Sequence, residues 1–283
     1  MGPEVAAAFA MAGLETAIAG RTPAGRDAAA ARATELAGGA PVTPAPIDAP
    51  TFADVDLVLE TIVEDLATKH ALLTRIEPWC HPKAIIATNT SSLTIADVAS
   101  CLTKPGRAAG LHFLKPAHLT GVVEIIPGPK TDDATVATLK DLAASMGKAP
   151  LVARRDVPGF IWNRIQFAVL RECLHMLEAG VASAEDIDAA VSDGLAPRWT
   201  AAGPLATADL GGLATFAKIC DLLFPYLSTD QQASSAISGP AERNEPLQAW
   251  THTAAAGIAA LRAEALASGR EIAHRRRALI DPS

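Results

Sequence analysis

The chain reads as a two-domain α/β protein. A mostly parallel sheet with helices on both faces is expected over residues 1–154, and an all-helical region over 155–283. Three observations predict this. The length of 283 residues exceeds the usual single-domain size. Short apolar runs alternate with helix-length stretches through the first half, the pattern of strands joined by crossover helices. After Val157-Pro158-Gly159 the short apolar runs stop and only helix-like stretches remain.

Taken in order, the sequence predicts a close-packing helix over 5–12, where small apolar residues dominate, and a short strand over 15–19 that ends at Gly20-Arg21-Thr22. An alanine-rich helix is expected over 26–36. Prolines at 41, 44, 46 and 50 and the pair Gly38-Gly39 make 38–50 a loop. The run Asp56-Leu57-Val58-Leu59-Glu60-Thr61 predicts a buried strand and 64–79 a helix. Further strands are predicted over 84–88, 108–113, 122–126 and 150–154, with helices over 95–102 and 132–146. In the second half, helices are expected over 160–178, from Ser183-Ala184-Glu185-Asp186 to about Gly194, and over 205–223, 229–237 and 253–267.

Composition narrows the function classes. Hydrophobic residues make up 49% and charged ones 19%, which excludes a largely disordered chain. A net charge of −7 argues against a nucleic-acid partner, because phosphate neutralisation needs a basic face. The run Arg275-Arg276-Arg277 reads as solvated surface charge. Cys80, Cys101, Cys173 and Cys220 form no C-x-x-C pair and have no metal-like spacing with histidine, so no metal is expected. Reduced thiols suit a cytoplasmic protein. No uninterrupted apolar run reaches the length of a membrane span, and the N-terminus lacks the pattern of a signal peptide, so no membrane partner is expected.

The chemistry-bearing residues sit in two neighbouring apolar runs. Gly110-Leu111-His112-Phe113 contains one histidine, and Val122-Val123-Glu124-Ile125-Ile126 contains one carboxylate. A buried imidazole facing a buried carboxylate is a general base held in one tautomer and stabilised when it takes a proton. A histidine at a strand end is by itself more often structural, and the accompanying motifs decide the matter. They are Asn89-Thr90-Ser91-Ser92-Leu93, Asp156-Val157-Pro158-Gly159-Phe160-Ile161-Trp162-Asn163-Arg164, and Gly203-Pro204-Leu205 followed by Asp209-Leu210 and Gly212-Leu213.

In this order and spacing the motifs resemble the 3-hydroxyacyl-CoA dehydrogenase family, in its short, single-function members, from Gly2 to about Trp250. The resemblance implies a Rossmann-type domain followed by an all-α domain that completes the substrate cleft and forms a homodimer. It implies NAD-linked oxidation of a 3-hydroxyacyl-CoA substrate, 3-hydroxybutyryl-CoA-like. His112 takes the hydroxyl proton, Glu124 orients its ring and balances the imidazolium charge, and Ser91 and Asn163 bind the substrate oxygen. Gly2, Glu64, Lys69 and Asn89 fall at cofactor-contacting positions. Plainer readings stand beside these: Ser91 as a strand-end cap, Asn163 bonded to backbone at a helix N-terminus, and Glu64 with Lys69 as an exposed ion pair.

The chain also departs from the family. Gly2 matches the third glycine of the G-x-G-x-x-G fingerprint, while the first two glycines and the strand before them are not in it. That reads either as a start codon assigned downstream of the true one or as a degenerate product that binds cofactor poorly, and the intact downstream motifs favour the first. The second strand ends Ala19-Gly20-Arg21-Thr22 with no carboxylate for the ribose 2′-hydroxyl, so Arg21 would let NADP(H) be tolerated or preferred. Lys115 stands where the family usually has asparagine, and the G-R-K-T-G-R-G-F-Y motif is absent, with Leu247-Gln248-Ala249-Trp250-Thr251 resembling a remnant of its end. Two other functions stay open. One is a dehydrogenase of a sugar acid or carnitine-like 3-hydroxy acid, to which Lys115 and Arg198-Trp199 point; the other is a non-catalytic, crystallin-like relative with impaired cofactor binding.

Overall fold

The computed structural model describes residues 1–243 and 252–280, so the expected motif remnant at 247–251 lies outside the described residues. By internal contacts the chain divides into two compact units, Met1–Arg164 and Ile165–Ser283. The first is a Rossmann-like sheet with helices. The second, over its described residues, is helical.

The first unit opens with α1 (Gly2–Met11), followed by β1 (Ala17–Ala19), α2 (Pro23–Leu36), β2 (Thr43–Ala45), α3 (Ala49–Ala53) and β3 (Leu57–Glu60). Then come α4 (Leu66–Ile76), β4 (Ile85–Thr88), α5 (Ile95–Val98), β5 (Ala108–Phe113), β6 (Val122–Pro127), α6 (Asp133–Ser145) and β7 (Ala149–Val152). Short polar residues start several of the helices. Thr22, Asp48, Asp65 and Thr94 each accept a hydrogen bond from a backbone N–H in the first turn of the helix they precede. The alanines of α1 matter for a different reason: small side chains let one helix lie close to two neighbours. Val5 and Ala8 join the core under β4, β5 and β6, while Ala6 and Ala10 pack with Ala30, Ala33 and Val42.

The sheet differs from the continuous one that the sequence predicts. Strands β3-β4-β5-β6-β7 form one sheet in chain order, and β1 and β2 form a separate parallel pair. The segment 38–50 is not simply a loop, because Thr43-Pro44-Ala45 pairs with β1. Pro44 is tolerated there because β2 bonds a strand on one side only. Within the larger sheet β5 and β6 run antiparallel, whereas the other pairs are parallel. Their register sets His112 directly opposite Glu124.

All six residues of β5 are buried, and Gly110 lies where two elements close on it. A Cβ there would sit 2.8 Å from Ile95 Cδ1 on α5 and 3.1 Å from Ile126 Cβ on β6. Helix α7 (Trp162–Glu178) begins in the first unit and continues in the second. It is followed by α8 (Ala184–Ala189), a π-helical turn over Ala190–Leu195, α9 (Ala196–Ala201), α10 (Pro204–Gly211), α11 (Leu213–Leu223), α12 (Ser235–Glu242) and α13 (His252–Ile280). Ser183 caps α8 through the Asp186 N–H at 3.1 Å, as the sequence predicts. The single helix expected over 205–223 is two helices, because Gly212 adopts φ 90° and breaks it. The helix expected over 229–237 begins only at Ser235.

The crowding at Gly110 yields a direct expectation. Gly110→Ala destabilises the protein by about 1–3 kcal/mol through overpacking, measured as a lower urea midpoint with an unchanged m value.

Candidate active site

The site grows from the ends of β3, β4 and β5 and from the segment that leads into α7. Alternation along the strands turns His112 and Glu124 to the same face of the antiparallel pair. His112 Nδ1 and Glu124 Oε2 are 2.6 Å apart, both side chains being essentially buried. The other Glu124 oxygen, Oε1, accepts hydrogen bonds from the backbone N–H groups of Ile161 and Trp162, each at 2.9 Å. One carboxylate therefore satisfies the imidazole and two amides at the start of α7. Burial works to raise the Glu124 pKa, but the bonds from His112, Trp162 and Ile161 and the charge of His112 outweigh it and hold the carboxyl below its ordinary range.

The second ring nitrogen faces Ser91, whose Oγ lies 3.2 Å from His112 Nε2. The Ser91 carbonyl in turn accepts a hydrogen bond from Asn163 Nδ2 at 3.3 Å. The four residues thus form a closed circuit, from Asn163 to Ser91, to His112, to Glu124, and back to the peptide units just before Asn163. Phe160 completes the wall, with its ring edge-on to the imidazole at 5.6 Å. It is fully buried with a φ of 48°. That backbone is costly for a bulky residue, and the packing of Phe160 against Ile95, Ile126 and Ala153 holds it there.

The Asn89–Leu93 loop is held by Glu64, which lies just before α4. Its Oε1 accepts from the Ser91 N–H at 3.0 Å, the Ser92 N–H at 3.0 Å and the Ser92 hydroxyl at 2.9 Å, and takes a very short bond from the Thr90 hydroxyl. Burial again acts upward on this carboxyl, but the Thr90 and Ser92 bonds and the Lys69 charge prevail and lower its pKa from the usual 4.5 to about 2. Lys69 is buried, not exposed, with Nζ 2.9 Å from each Glu60 oxygen and 3.3 Å from Glu64 Oε2. Asn89 joins β4 to β5 through its Oδ1, which accepts the Phe113 N–H at 2.7 Å.

The structure thus brings together His112, Glu124, Ser91 and Asn163, with Glu64, Lys69 and Asn89 beneath the same loop. Asn163 is bonded to backbone, and so is the Asn89 side-chain oxygen. Gly2 stands at the start of α1, where a Cβ would lie 3.3 Å from Thr61 Oγ1, and no side chain caps that helix. Arg21 and Lys115 are exposed, at the end of β1 and just after β5. The sequence reading missed Glu60, whose signal was a carboxylate closing an apolar strand. It also missed the roles of Thr90, Phe160 and the two amides at the entry to α7, which no local pattern marks.

Comparison with known proteins gives the family. The family model for "3-hydroxyacyl-CoA dehydrogenase, NAD binding domain" matches residues 1–157, and that for the family's C-terminal domain matches 159–244. The chain belongs to the 3-hydroxyacyl-CoA dehydrogenase family. Among curated relatives, the 5-formyl-3-hydroxy-2-methylpyridine 4-carboxylate 5-dehydrogenase of Mesorhizobium japonicum is 34% identical over 64% of this chain and 59% of its own length. A probable 3-hydroxybutyryl-CoA dehydrogenase of Deinococcus radiodurans is 36% identical over 67% of each chain. The human mitochondrial hydroxyacyl-coenzyme A dehydrogenase is 40% identical over 59% of this chain and 52% of its own. The match therefore spans about half to two thirds of these relatives. Among solved structures, the NAD+-dependent 5-formyl-3-hydroxy-2-methylpyridine 4-carboxylic acid 5-dehydrogenase superposes with a TM-score of 0.89 at 28% identity, covering 96% of this chain and 94% of that one. FadB2 of M. tuberculosis gives 0.70 at 28% identity, covering 89% and 95%.

The cofactor of the family is NAD, and the residues present fit it in part. The uncapped N-terminus of α1 behind the close approach at Gly2 suits a phosphate group. Ser91, at the end of the Asn89–Ser91 segment, lies beside His112.

Two outcomes test the carboxylates. Because its folded pKa is depressed, Glu64 contributes stability that is present above its unfolded value near 4.5 and is lost as the pH falls toward about 2. In a pH series of urea denaturation, Glu64→Gln lowers stability most in the neutral region and flattens that acid limb, so that the two proteins converge as the pH falls toward about 2. Glu124→Gln leaves acceptors for Ile161 and Trp162 but disturbs the tautomer of His112, so kcat falls about 10²–10⁴-fold while circular dichroism stays unchanged.

Proposed function

We propose that the protein catalyses reversible hydride transfer between NAD and a 3-hydroxyacyl-CoA of the 3-hydroxybutyryl type. The observation that carries this reading is the imidazole held at both nitrogens, by Glu124 on one side and Ser91 on the other. With the Glu124 carboxylate at Nδ1, the neutral ring carries its proton there and leaves the Nε2 lone pair facing the Ser91 hydroxyl. In the oxidative direction the substrate hydroxyl binds between Ser91 and His112, and Nε2 accepts its proton as the C–H bond to the same carbon breaks. NAD, when bound, supplies the hydride acceptor. Glu124 stabilises the imidazolium that results, and in the reverse direction the same nitrogen returns the proton to the nascent alkoxide. Asn163, through the Ser91 carbonyl, keeps the serine hydroxyl aimed at this point. A positioned acid–base of this kind supplies about 3–5 kcal/mol of barrier reduction.

A second reading has its own support. The TM-score of 0.89 toward the pyridine-carboxylate dehydrogenase exceeds the 0.70 toward FadB2. A carboxylated hydroxyaromatic aldehyde or alcohol would use the same base, and exposed Lys115, three residues past His112, offers a cation for its carboxylate.

The second unit exposes large apolar side chains, among them Leu205, Leu210 and Tyr226, each at least 80% accessible. Such a surface suits burial against a second copy of the chain, a homodimer. A cytoplasmic setting accords with four free cysteines, Cys80, Cys101, Cys173 and Cys220. Among the described residues no helix is long and apolar enough to cross a membrane.

Initial rates with NADH and acetoacetyl-CoA, compared with NAD and the pyridine aldehyde, decide between the substrates. The acyl-CoA reading predicts the higher kcat/KM for acetoacetyl-CoA, and the reverse order would move the assignment to the pyridine substrate. His112→Gln abolishes either activity by at least about 10²-fold. With Arg21 exposed and no carboxylate among Gly20, Arg21 and Thr22, NADPH binds within about tenfold of NADH. A fluorescence titration that favours NADH by more would contradict that tolerance.

A further inference from the structure

The aspartate that opens the Asp156–Arg164 motif takes no part in the chemistry above. Its Oδ2 accepts the Ala96 N–H at 2.8 Å, from the first turn of α5 and 60 residues away in the chain. That N–H is one of the donors a helix cannot satisfy from within, and the acceptor here carries a charge. Helix α5 directly continues the serine loop: Thr90 Oγ1 accepts the Leu93 N–H at 3.0 Å, and Thr94 caps the helix through the Asp97 N–H at 3.1 Å. At the other end of the same stretch, Asn163 Nδ2 donates to the Ser91 carbonyl. Segments 91–96 and 156–163 are therefore joined at both ends, Ala96 to Asp156 and Ser91 to Asn163, and run in opposite directions. Between the two joints Ile95 packs with Phe160. The stretch immediately after Asp156 is a tight turn, closed by the Phe160 N–H on the Val157 carbonyl at 3.1 Å, with φ of 77° at Gly159 and 48° at Phe160. Such a backbone persists only when it is held from both sides. Glu124 holds the far side through the Ile161 and Trp162 amides, and Asp156 stands at the near side.

We propose that Asp156 is a positioning residue that locks the turn 157–160 against α5, so that Phe160, the Ile161 and Trp162 amides and Asn163 keep their places around His112. Without its bond to Ala96 the turn relaxes from the Asp156 end. The two amides then leave Glu124 Oε1 part of the time, and Asn163 loses its fixed distance to the Ser91 carbonyl. The placing of His112 opposite Glu124 survives, because it rests on the β5–β6 register. The other Asp156 oxygen is buried and has no hydrogen-bond partner among the described residues. An asparagine at this position keeps an acceptor for Ala96 but puts its NH2 where that oxygen lies, so it lowers stability while it preserves the placement. Stability and positioning can thus be separated. This inference rests on the proposed dehydrogenase reading only for its kinetic arm.

The test uses the full chain with Asp156→Ala and Asp156→Asn. In hydrogen exchange, the Ala96, Ile161 and Trp162 amides of Asp156→Ala all exchange about tenfold faster than in the wild type, while β5 and β6 keep their protection. Asp156→Asn keeps all three within about threefold of the wild type, even where its urea midpoint is lower. With acetoacetyl-CoA and NADH, kcat falls about tenfold in Asp156→Ala and stays within about threefold in Asp156→Asn. Faster exchange confined to Ala96 would make Asp156 a cap of α5 and nothing more, and would overturn the proposal. An Asp156→Asn variant that loses site protection and kcat as fully as Asp156→Ala would overturn it too. A wild-type chain that turns over neither acetoacetyl-CoA nor the pyridine aldehyde would sink the dehydrogenase reading, and the exchange at Ile161 and Trp162 would still decide the positioning role. If Asp156→Ala fails to fold, Asp156→Ser, whose shorter side chain does not reach Ala96, gives the same exchange comparison.

Discussion

The Glu124 carboxylate is the constraint on which the rest of the site depends. It is fully buried, and a lone carboxylate in that position would be costly. It is stable because its two oxygens have separate employers: the imidazole of His112 on one, and the amides of Ile161 and Trp162 on the other. The first bond defines which ring nitrogen is free for chemistry. The second ties the same group to the entry of α7, so that Asn163 stands within reach of the Ser91 carbonyl. Catalytic geometry and the connection between sheet and helix are thus one electrostatic arrangement.

That arrangement rests on strand register. A parallel neighbour for β5 could not place His112 and Glu124 opposite each other at this chain spacing, because a parallel return needs a long crossover. The antiparallel pair makes the dyad from residues only twelve apart in sequence. Gly110, two residues before His112, lets α5 and β6 close over the strand, and Phe160 in its left-handed backbone seals the far side of the ring. Around this, Glu64 does for the serine loop what Glu124 does for the histidine, satisfying several backbone and hydroxyl donors with a single oxygen.

Much of this was legible in the residues. Strand β5 has the predicted limits, and β4, β6 and α6 differ by about a residue at either end, because their apolar patterns are clean and their boundaries are marked by polar caps and turns. The His112–Glu124 pair could be read because each is a lone polar group in an apolar run. The split sheet could not, since pairing between distant strands leaves no local trace. Nor could the strand at Pro44, where local chemistry argued for a loop and an edge position overrode it. The break at Gly212 was signalled by the glycine itself but hidden by apolar residues on both sides. Lys69 shows the same limit from another side, for the sequence places it one turn and a residue from Glu64 yet cannot say that Glu60 lies between α4 and the sheet to bury it. Long-range partners decide these cases, and spacing alone does not contain them.

The chain therefore combines a buried His112–Glu124 pair with a Rossmann-like sheet in two hydrogen-bonded pieces. The dyad does not depend on β1 or β2, because its register, its serine and its amide donors all lie between β3 and the start of α7. The central claim is that Glu124 fixes His112 as the Nδ1–H tautomer with a bare Nε2 toward Ser91. The most direct measurement is the ¹⁵N spectrum of imidazole-labelled protein near neutral pH, with His112 assigned by its absence in His112→Gln. A protonated Nδ1 and an unprotonated Nε2 are the predicted result, and a proton on Nε2 in the neutral ring would contradict it.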